Sequence, residues 1–199
     1  EAIASRLGVI RAAGENDLQF LERYLLKLAR PSAGSLLGYL GRVMEAWPAR
    51  GDVAILGPEH HGRRGDIDVI LAAPEGAAVS PSIISKVQTA VTSPDAKPLT
   101  DVVATHAASI VSYEIRQRIT VAEDRSAAPI LAAAKAAATA FVRDRYAIGL
   151  PIKRSAIIAT SYVPGVVAVE DLTNGADVYV SADAVAWCSP SGIVVQVAT

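Results

Sequence analysis

The sequence predicts an α/β protein of the α+β type, with an N-terminal helical hairpin followed by two small two-layer α/β units with mixed sheets. Two observations point to this class. The spacing of apolar residues changes from a helical period of 3.6 to a strand period of 2 near residue 50. Strand and helix patterns then alternate to the end of the chain. We therefore divide the 199 residues into segments 1–48, 49–107 and 108–199.

The first segment contains two predicted helices, over residues 16–30 and 35–47. Ser35 is a suitable N-terminal cap for the second helix, and Pro48 ends it. Because the link between the helices is short, we expect them to pack as a hairpin. The first helix carries an apolar stripe that we expect to face the core, formed by Leu18, Leu21, Leu25 and Leu28.

The second segment predicts a β-β-α-β unit. Short alternating runs indicate strands at 52–56 and 66–72, joined by a polar loop at 57–65 that Gly and Pro residues bound. A helix follows at 81–93, and a third strand is expected at 100–106. This order fits a compact two-layer unit.

The third segment begins with the clearest strand pattern in the chain, at 110–122. Apolar residues occupy its odd positions and polar residues its even ones, so one face should be buried and the other wet. A long helix at 126–146 and a short one at 154–162 follow. Further strands are predicted at 166–171, 177–180, 184–188 and 192–197.

Composition excludes several classes of protein. Lys and Arg total 19 against 20 Asp and Glu, so the basic excess of a nucleic-acid-binding protein is missing. No run of 18 apolar residues occurs, so we expect no membrane span. Cys188 is the only cysteine, which rules out an intrachain disulfide or a cysteine-based zinc site. The chain begins with Glu1, and the first 14 residues lack the pattern of a signal peptide.

The sequence gives little indication of catalysis. Glycine-rich phosphate loops and the G-x-S-x-G nucleophile motif are absent. One cluster has metal-ligand residue types, namely His60 and His61 with Asp66 and Asp68 beyond them. Its spacing matches no helical histidine pair, so a solvated loop beside a wet strand face is the simpler interpretation. We expect no catalytic, cofactor-binding or metal-binding residue.

Two groups of residues are candidate partner interfaces. Phe20 and Tyr24 lie off the leucine stripe of the first helix, where an aromatic side chain could anchor a partner. A wide core face is the alternative for both residues. Arg116 and Arg118 lie on the wet face of strand 110–122 and could meet an acidic neighbour. Solvated charge explains them equally well.

Four stretches, in order along the chain, carry a family resemblance. The first three are Leu7-Gly8-Val9 with Gly14-Glu15-Asn16-Asp17, Ala33-Gly34-Ser35 with Tyr39, and Lys97-Pro98-Leu99-Thr100-Asp101 with Tyr113 and Ile115. The fourth comprises Tyr146, Gly149, Ser155, Pro164-Gly165-Val166, Val169, Asp177-Val178, Ala186, Cys188 and Ser189.

Together these stretches resemble the baseplate J-like family, whose members are baseplate wedge proteins of contractile phage tails and related injection machines. The likeness covers most of residues 5–197. Two positions depart from the family pattern: Lys97 stands where another basic residue is usual, and Tyr146 where many relatives have His. The segment 44–58 matches more loosely.

The resemblance implies a structural part without cofactor or enzyme activity. Members of the family form rings around a central hub, with paired copies that contact a third wedge protein. It therefore implies a homo-oligomer that contacts other wedge, hub and tail-fibre-attachment proteins, and no nucleic acid or membrane. It also implies a location in the virion tail baseplate after assembly in the cytoplasm of the host bacterium.

Two other hypotheses stay open at this point. The chain could be a metal-binding or hydrolytic module that uses the His60-His61 loop. It could also be a small soluble adaptor that shares only the core pattern of the family. The metal content of the purified protein distinguishes the first hypothesis from a structural role. Monomeric behaviour in the presence of the neighbouring gene products would favour the second hypothesis.

Overall fold

The computed structural model describes residues 6, 8–29, 33–173 and 175–198. The chain forms two compact units, one ending at Ala108 and one beginning at Ser109. Each unit contains helices and a mixed β-sheet, so the predicted α+β class is confirmed.

The first unit contains a three-stranded sheet covered on one face by helices. Strand β1 pairs antiparallel with β2, and β2 pairs parallel with β3, in the order β1-β2-β3. A one-turn helix, α3, lies in the polar loop between β1 and β2. The elements are α1 (Asp17–Ala29), α2 (Leu36–Ala46), β1 (Asp52–Leu56), α3 (Pro58–His61), β2 (Asp66–Ala72), α4 (Pro81–Val91) and β3 (Val102–Ala107).

The core of this unit lies between the sheet and the helices α2 and α4. Val69 and Leu71, alternate residues of β2, are fully buried there, as period-2 patterning requires. Tyr39 and Val43 of α2 pack on the same cluster. The predicted cap Ser35 is present, since its hydroxyl accepts a hydrogen bond at the start of α2. Asn16 likewise accepts a hydrogen bond from the backbone N–H of Gln19 at 2.9 Å, and the hydroxyl of Ser80 caps α4.

Two of the stretches that carry the family resemblance contact each other in this unit. The hydroxyl of Tyr39 donates a hydrogen bond to the Asp101 carboxylate at 2.6 Å. Gly34 has a φ of +75°, and a Cβ added there would lie 2.5 Å from Cγ of Pro98. Lys97 donates to the backbone oxygen of Asp101 at 2.7 Å. The turn before β3 is therefore fixed against the start of α2 by side-chain contacts.

The second unit contains two small sheets. One is a parallel pair, β4-β7, and the other has the order β6-β5-β8 with β5 in the centre. Helix α5 packs on β5 and β8, and Ile119 and Ala134 are fully buried between them. The elements are β4 (Ser109–Ser112), β5 (Ile115–Val121), α5 (Ala127–Asp144), α6 (Arg154–Thr160), β6 (Val166–Asp171), β7 (Ala184–Trp187) and β8 (Ile193–Val197).

The single strand predicted at 110–122 is wrong, because the chain divides into β4 and β5 in different sheets. The break lies at Tyr113 and Glu114. Burial nevertheless alternates through the break, since Tyr113 stays half-buried and Ile115 is fully buried. The alternation of buried and exposed residues therefore continues where the chain passes from one sheet to the other. For this reason the sequence pattern alone could not locate the break between β4 and β5.

The strand predicted at 177–180 is also wrong. Val178 forms only an isolated antiparallel bridge with Ile152, through two backbone hydrogen bonds of 2.9 and 3.1 Å. The third strand of the first unit begins at Val102 rather than at residue 100, because the turn held by Asp101 occupies the preceding positions.

Candidate interaction surfaces

Helix α1 leaves its leucine stripe largely exposed to solvent. Leu18, Leu21 and Leu25 are 65%, 49% and 52% exposed. Their spacing had predicted a core-facing stripe, and that prediction is wrong for these three residues. Leu28 belongs to the same predicted stripe, but its side chain lies outside the described residues.

Polar side chains, not leucines, attach α1 to the rest of the unit. Glu22 forms an ion pair of 2.6 Å with Arg50, whose side chain is only 5% exposed. Gln19 donates a hydrogen bond to the backbone oxygen of Arg50. On the adjacent side, Arg23 donates two hydrogen bonds to the fully buried carboxylate of Glu15, at 2.8 and 2.9 Å. These contacts decide which face of the helix lies inside.

The electrostatics of the Glu15 pair agree with this geometry. The hydrogen bond from Arg23 lowers the pKa of Glu15, outweighing the burial that would raise it. The carboxylate therefore stays charged, and the pair anchors the segment before α1 to the helix.

A groove of about 500 Å³ lies beside the exposed stripe. Its lining includes Leu18 and Leu25 from α1, Leu40 and Met44 from α2, and Val53 at the start of β1. Polar and charged side chains also line the groove, namely Asn16, Gln19, Glu22, Arg50 and Asp52. Leu18 and Leu25 thus border a groove whose lining is partly polar.

The predicted anchors Phe20 and Tyr24 lie off the leucine stripe and are half-buried. The guanidinium group of Arg11 stands 4.8 Å from the centre of the Phe20 ring, and that of Arg23 stands 5.9 Å away. Contacts within the chain therefore account for the position of Phe20. A role for either residue in binding a partner stays a prediction.

Arg116 and Arg118 project from the exposed face of β5, as the alternating pattern indicated. Arg118 forms an ion pair of 2.9 Å with Glu170 on the neighbouring strand β6, and Arg116 lies 3.6 Å from Glu114. Both pairs are exposed and contribute little to stability. Whether this face binds an acidic neighbour stays a prediction.

The two adjacent histidines point to different groups. Nδ1 of His60 lies 3.1 Å from Glu59, whereas Nε2 of His61 lies 3.8 Å from Asp68. Asp68 also lies 3.8 Å from Nε2 of His106. Arg63 bridges Asp68 to Asp66 at 2.5 and 2.7 Å, so a cation already occupies the space between the carboxylates.

In the described part of the chain, no group of three or more His, Cys, Asp or Glu side chains is arranged to hold a metal ion. The metal hypothesis gains no support from this geometry. Among the helices that the structure describes, none has the length and apolar character needed to cross a bilayer. Cys188 is buried, and that burial raises the pKa of its thiol.

Sequence reasoning did not identify the exposed leucines as a surface. A signal was available in their spacing of three, four and three residues, which gives a narrower stripe than a core-facing helix usually has. The helix is held by Glu15, which lies eight residues before Arg23, and by Arg50, which lies 28 residues after Glu22, so the second contact joins residues distant in sequence.

Comparison with solved structures shows a likeness of fold. The fold is similar to that of a chain in the baseplate of the anti-feeding prophage. That structure was solved by cryo-electron microscopy with six-fold symmetry. The TM-score is 0.54 at 14% sequence identity, and the likeness covers 88% of this chain. This chain spans 42% of the length of the baseplate chain.

No known protein family matches the chain, and no curated protein matches it. At 14% identity the likeness concerns the fold.

Proposed function

We propose that the chain is a structural wedge component of the baseplate of a contractile tail or a related injection machine. The observation that supports the proposal best is the fold shared with a baseplate chain over 88% of the sequence. The ordered motif stretches support it independently, since they are features of the sequence and do not depend on the fold. In this role the chain performs no catalysis and needs no cofactor.

The proposed part joins other proteins into a ring. Paired copies surround a central hub and bind neighbouring wedge, hub and fibre-attachment proteins. Assembly takes place in the bacterial cytoplasm, and the product is the baseplate of a tail. Two compact units with separate exposed faces suit a component with several interfaces.

Quantitative mass spectrometry of purified contractile particles from the source organism tests the proposal. We expect this chain at a fixed ratio to the sheath and hub proteins in every preparation. A soluble enzyme or adaptor would instead be lost during purification. Absence from clean, intact particles would overturn the proposal.

The exposed face of β5 offers a test of the predicted arginine interface. Replacing Arg116 and Arg118 together by Glu should lower incorporation of the chain into particles, because acidic side chains would repel an acidic neighbour. Arg125→Glu is the control, since Arg125 is exposed and pairs only locally with Asp124 at 3.5 Å. Equal incorporation of both variants would indicate that the face is simply solvated.

A further inference from the structure

The two ring nitrogens of His61, the last residue of α3, have different surroundings. Nδ1 accepts a hydrogen bond from the backbone N–H of Arg63 at 3.1 Å. Nε2 is buried and has no hydrogen-bond partner among the described residues. A neutral imidazole carries one proton, and the nitrogen that accepts a hydrogen bond cannot hold that proton. The proton of neutral His61 therefore lies on the buried Nε2.

This buried nitrogen lies close to a carboxylate that another cation already holds. Nε2 of His61 lies 3.8 Å from the Asp68 carboxylate on β2, which is too long for a hydrogen bond. The guanidinium group of Arg63 binds Asp68 at 2.5 Å and Asp66 at 2.7 Å. Arg63 therefore contacts His61 through its backbone and Asp68 through its side chain.

Protonation of His61 is incompatible with this arrangement. The second proton would lie on Nδ1 and face the backbone N–H of Arg63, and two donors cannot form a hydrogen bond with each other. A charged imidazole that is largely buried also needs an anionic partner, so it competes with Arg63 for Asp68. Both effects act on Arg63. Since histidine side chains change charge between pH 5 and pH 8, mild acid is sufficient to cause them.

The other charged groups around His61 do not remove this conflict. On α3 itself, Glu59 lies 3.1 Å from Nδ1 of His60, and this pair is exposed, so its charges are screened by water. From β3, Nε2 of His106 lies 3.8 Å from the other oxygen of Asp68. Protonation of His106 would add a positive charge beside Arg63 and would favour the same release.

The backbone on either side of Arg63 is free to move at one end and fixed at the other. At Gly62, where φ is +75°, an added Cβ would meet nothing within 4 Å. At Gly65 an added Cβ would lie 2.9 Å from the backbone oxygen of Thr100, and the carbonyl of Gly65 accepts a hydrogen bond from Val102 at 2.7 Å. Residues 62–64 can therefore move about Gly62 while β2 stays paired with β3.

We propose that His61 is a pH-sensitive switch for the loop between β1 and β2. When His61 is neutral, its Nδ1 holds the backbone of Arg63 and the loop is closed. When His61 takes up a proton from solvent, it pairs with Asp68, and residues 62–64 are released. The inference goes beyond the proposed function and does not rest on it.

A pH titration of the full chain, followed by nuclear magnetic resonance, tests the switch. At pH 8 the imidazole nitrogen shifts should place the proton of His61 on Nε2. Between pH 8 and pH 5 the ring of His61 and the amide of Arg63 should titrate with one shared midpoint. After correction for the intrinsic rate, the Arg63 amide should exchange with solvent at least about threefold faster below the midpoint than above it. A proton on Nδ1 at pH 8, or an Arg63 amide that does not respond to the titration of His61, overturns the inference.

Two substitutions at His61 separate the roles of its two nitrogens. Asn places its amide oxygen near the position of Nδ1, so His61→Asn should keep the Arg63 amide protected across the titration. Gln extends to the position of Nε2 and leaves no acceptor near Nδ1, so His61→Gln should leave that amide unprotected throughout. His60→Asn is the matched control, because His60 is adjacent on α3 and pairs with Glu59, and it should titrate as the wild type does. Circular dichroism confirms that each variant is folded. An Arg63 amide that still titrates in both His61 variants overturns the inference.

Discussion

At the scale of single residues, buried polar contacts determine the orientation of α1. Glu15 and Arg23 form a pair that is nearly removed from solvent, and the chain before the helix is folded around it. Burying a charge is costly unless a partner compensates it, so removing one member leaves the other without compensation. Among the described ion pairs, we therefore expect this one to matter more than the exposed pairs on the sheet.

Glu15→Gln should lower the free energy of unfolding by about 1.5–3 kcal/mol at neutral pH, since the charged hydrogen bonds to Arg23 are lost. The folded-state pKa of Glu15 is lowered. The contribution of the Glu15 carboxylate to stability is therefore complete above its ordinary pKa of 4.5. It is lost as the pH falls through the folded-state pKa. Denaturant titrations of both proteins from pH 7 to pH 3 should show the difference shrinking in acid. Glu170→Gln, in an exposed pair, should change stability by less than about 1 kcal/mol.

Gly34 and Gly62 form a matched pair of positions. Both have a φ of +75°, but an added Cβ would strike Pro98 at Gly34 and meets nothing within 4 Å at Gly62. Gly34→Ala should therefore destabilise the protein by about 1–3 kcal/mol more than Gly62→Ala, because only the first variant adds overpacking to the backbone cost. Thermal unfolding of both variants measures the difference. Equal losses of stability in the two variants would mean that the turn at Pro98 moves to make room for the added Cβ.

At the scale of elements, the sequence predicted most helices and strands, but it did not predict every contact between them. Caps such as Ser35 and the alternation of Val69 and Leu71 are local features, so they can be recognised without the fold. The break between β4 and β5 could not be recognised in this way, because the alternation of buried and exposed residues continues through Tyr113. The outward face of α1 escaped prediction for a related reason: Arg50, which holds the helix, follows it by more than 20 residues.

Gln117 joins the central strand β5 to helix α6 inside the second unit. Its side chain is fully buried, donates to the backbone oxygen of Ile157 at 2.8 Å and accepts from the hydroxyl of Ser161. Gln117→Leu should cost about 1–3 kcal/mol, since both partners are left unsatisfied. Adding Ser161→Ala removes one of them, so the double variant should lose less than the sum of the single variants. Denaturant unfolding of the four proteins completes the cycle, and strict additivity would contradict the coupling.

At the scale of the whole molecule, the chain is divided into two units, each with buried clusters of its own. Residues of α2 share a cluster with β2 and β3, and the clusters of the second unit are formed by its own residues. The fold class could be predicted because both units follow simple layer patterns. The predicted boundaries at 48 and 107 are proposals about folding units, and hydrogen exchange can test them.

We expect each unit to lose amide protection as a separate body. Gly34→Ala should speed exchange in the first unit alone, and Gln117→Leu in the second alone, because the buried clusters of each unit are formed by its own residues. Since α2 packs on β2, residues 36–46 should exchange together with the sheet. Separate exchange of the hairpin would instead support a boundary at residue 48. Faster exchange in both units for either variant would indicate one cooperative transition.

The buried thiol of Cys188 has a practical consequence for kinetics. It lies in the core of the second unit, where its raised pKa keeps it protonated and shielded. A thiol reagent can reach it only after that unit opens. With no other cysteine in the chain, the rate of modification at high reagent concentration equals the opening rate of a single region. The rate at which Cys188 is modified therefore measures how fast the second unit opens. The mass of the intact chain follows this rate, even in a mixture of other proteins.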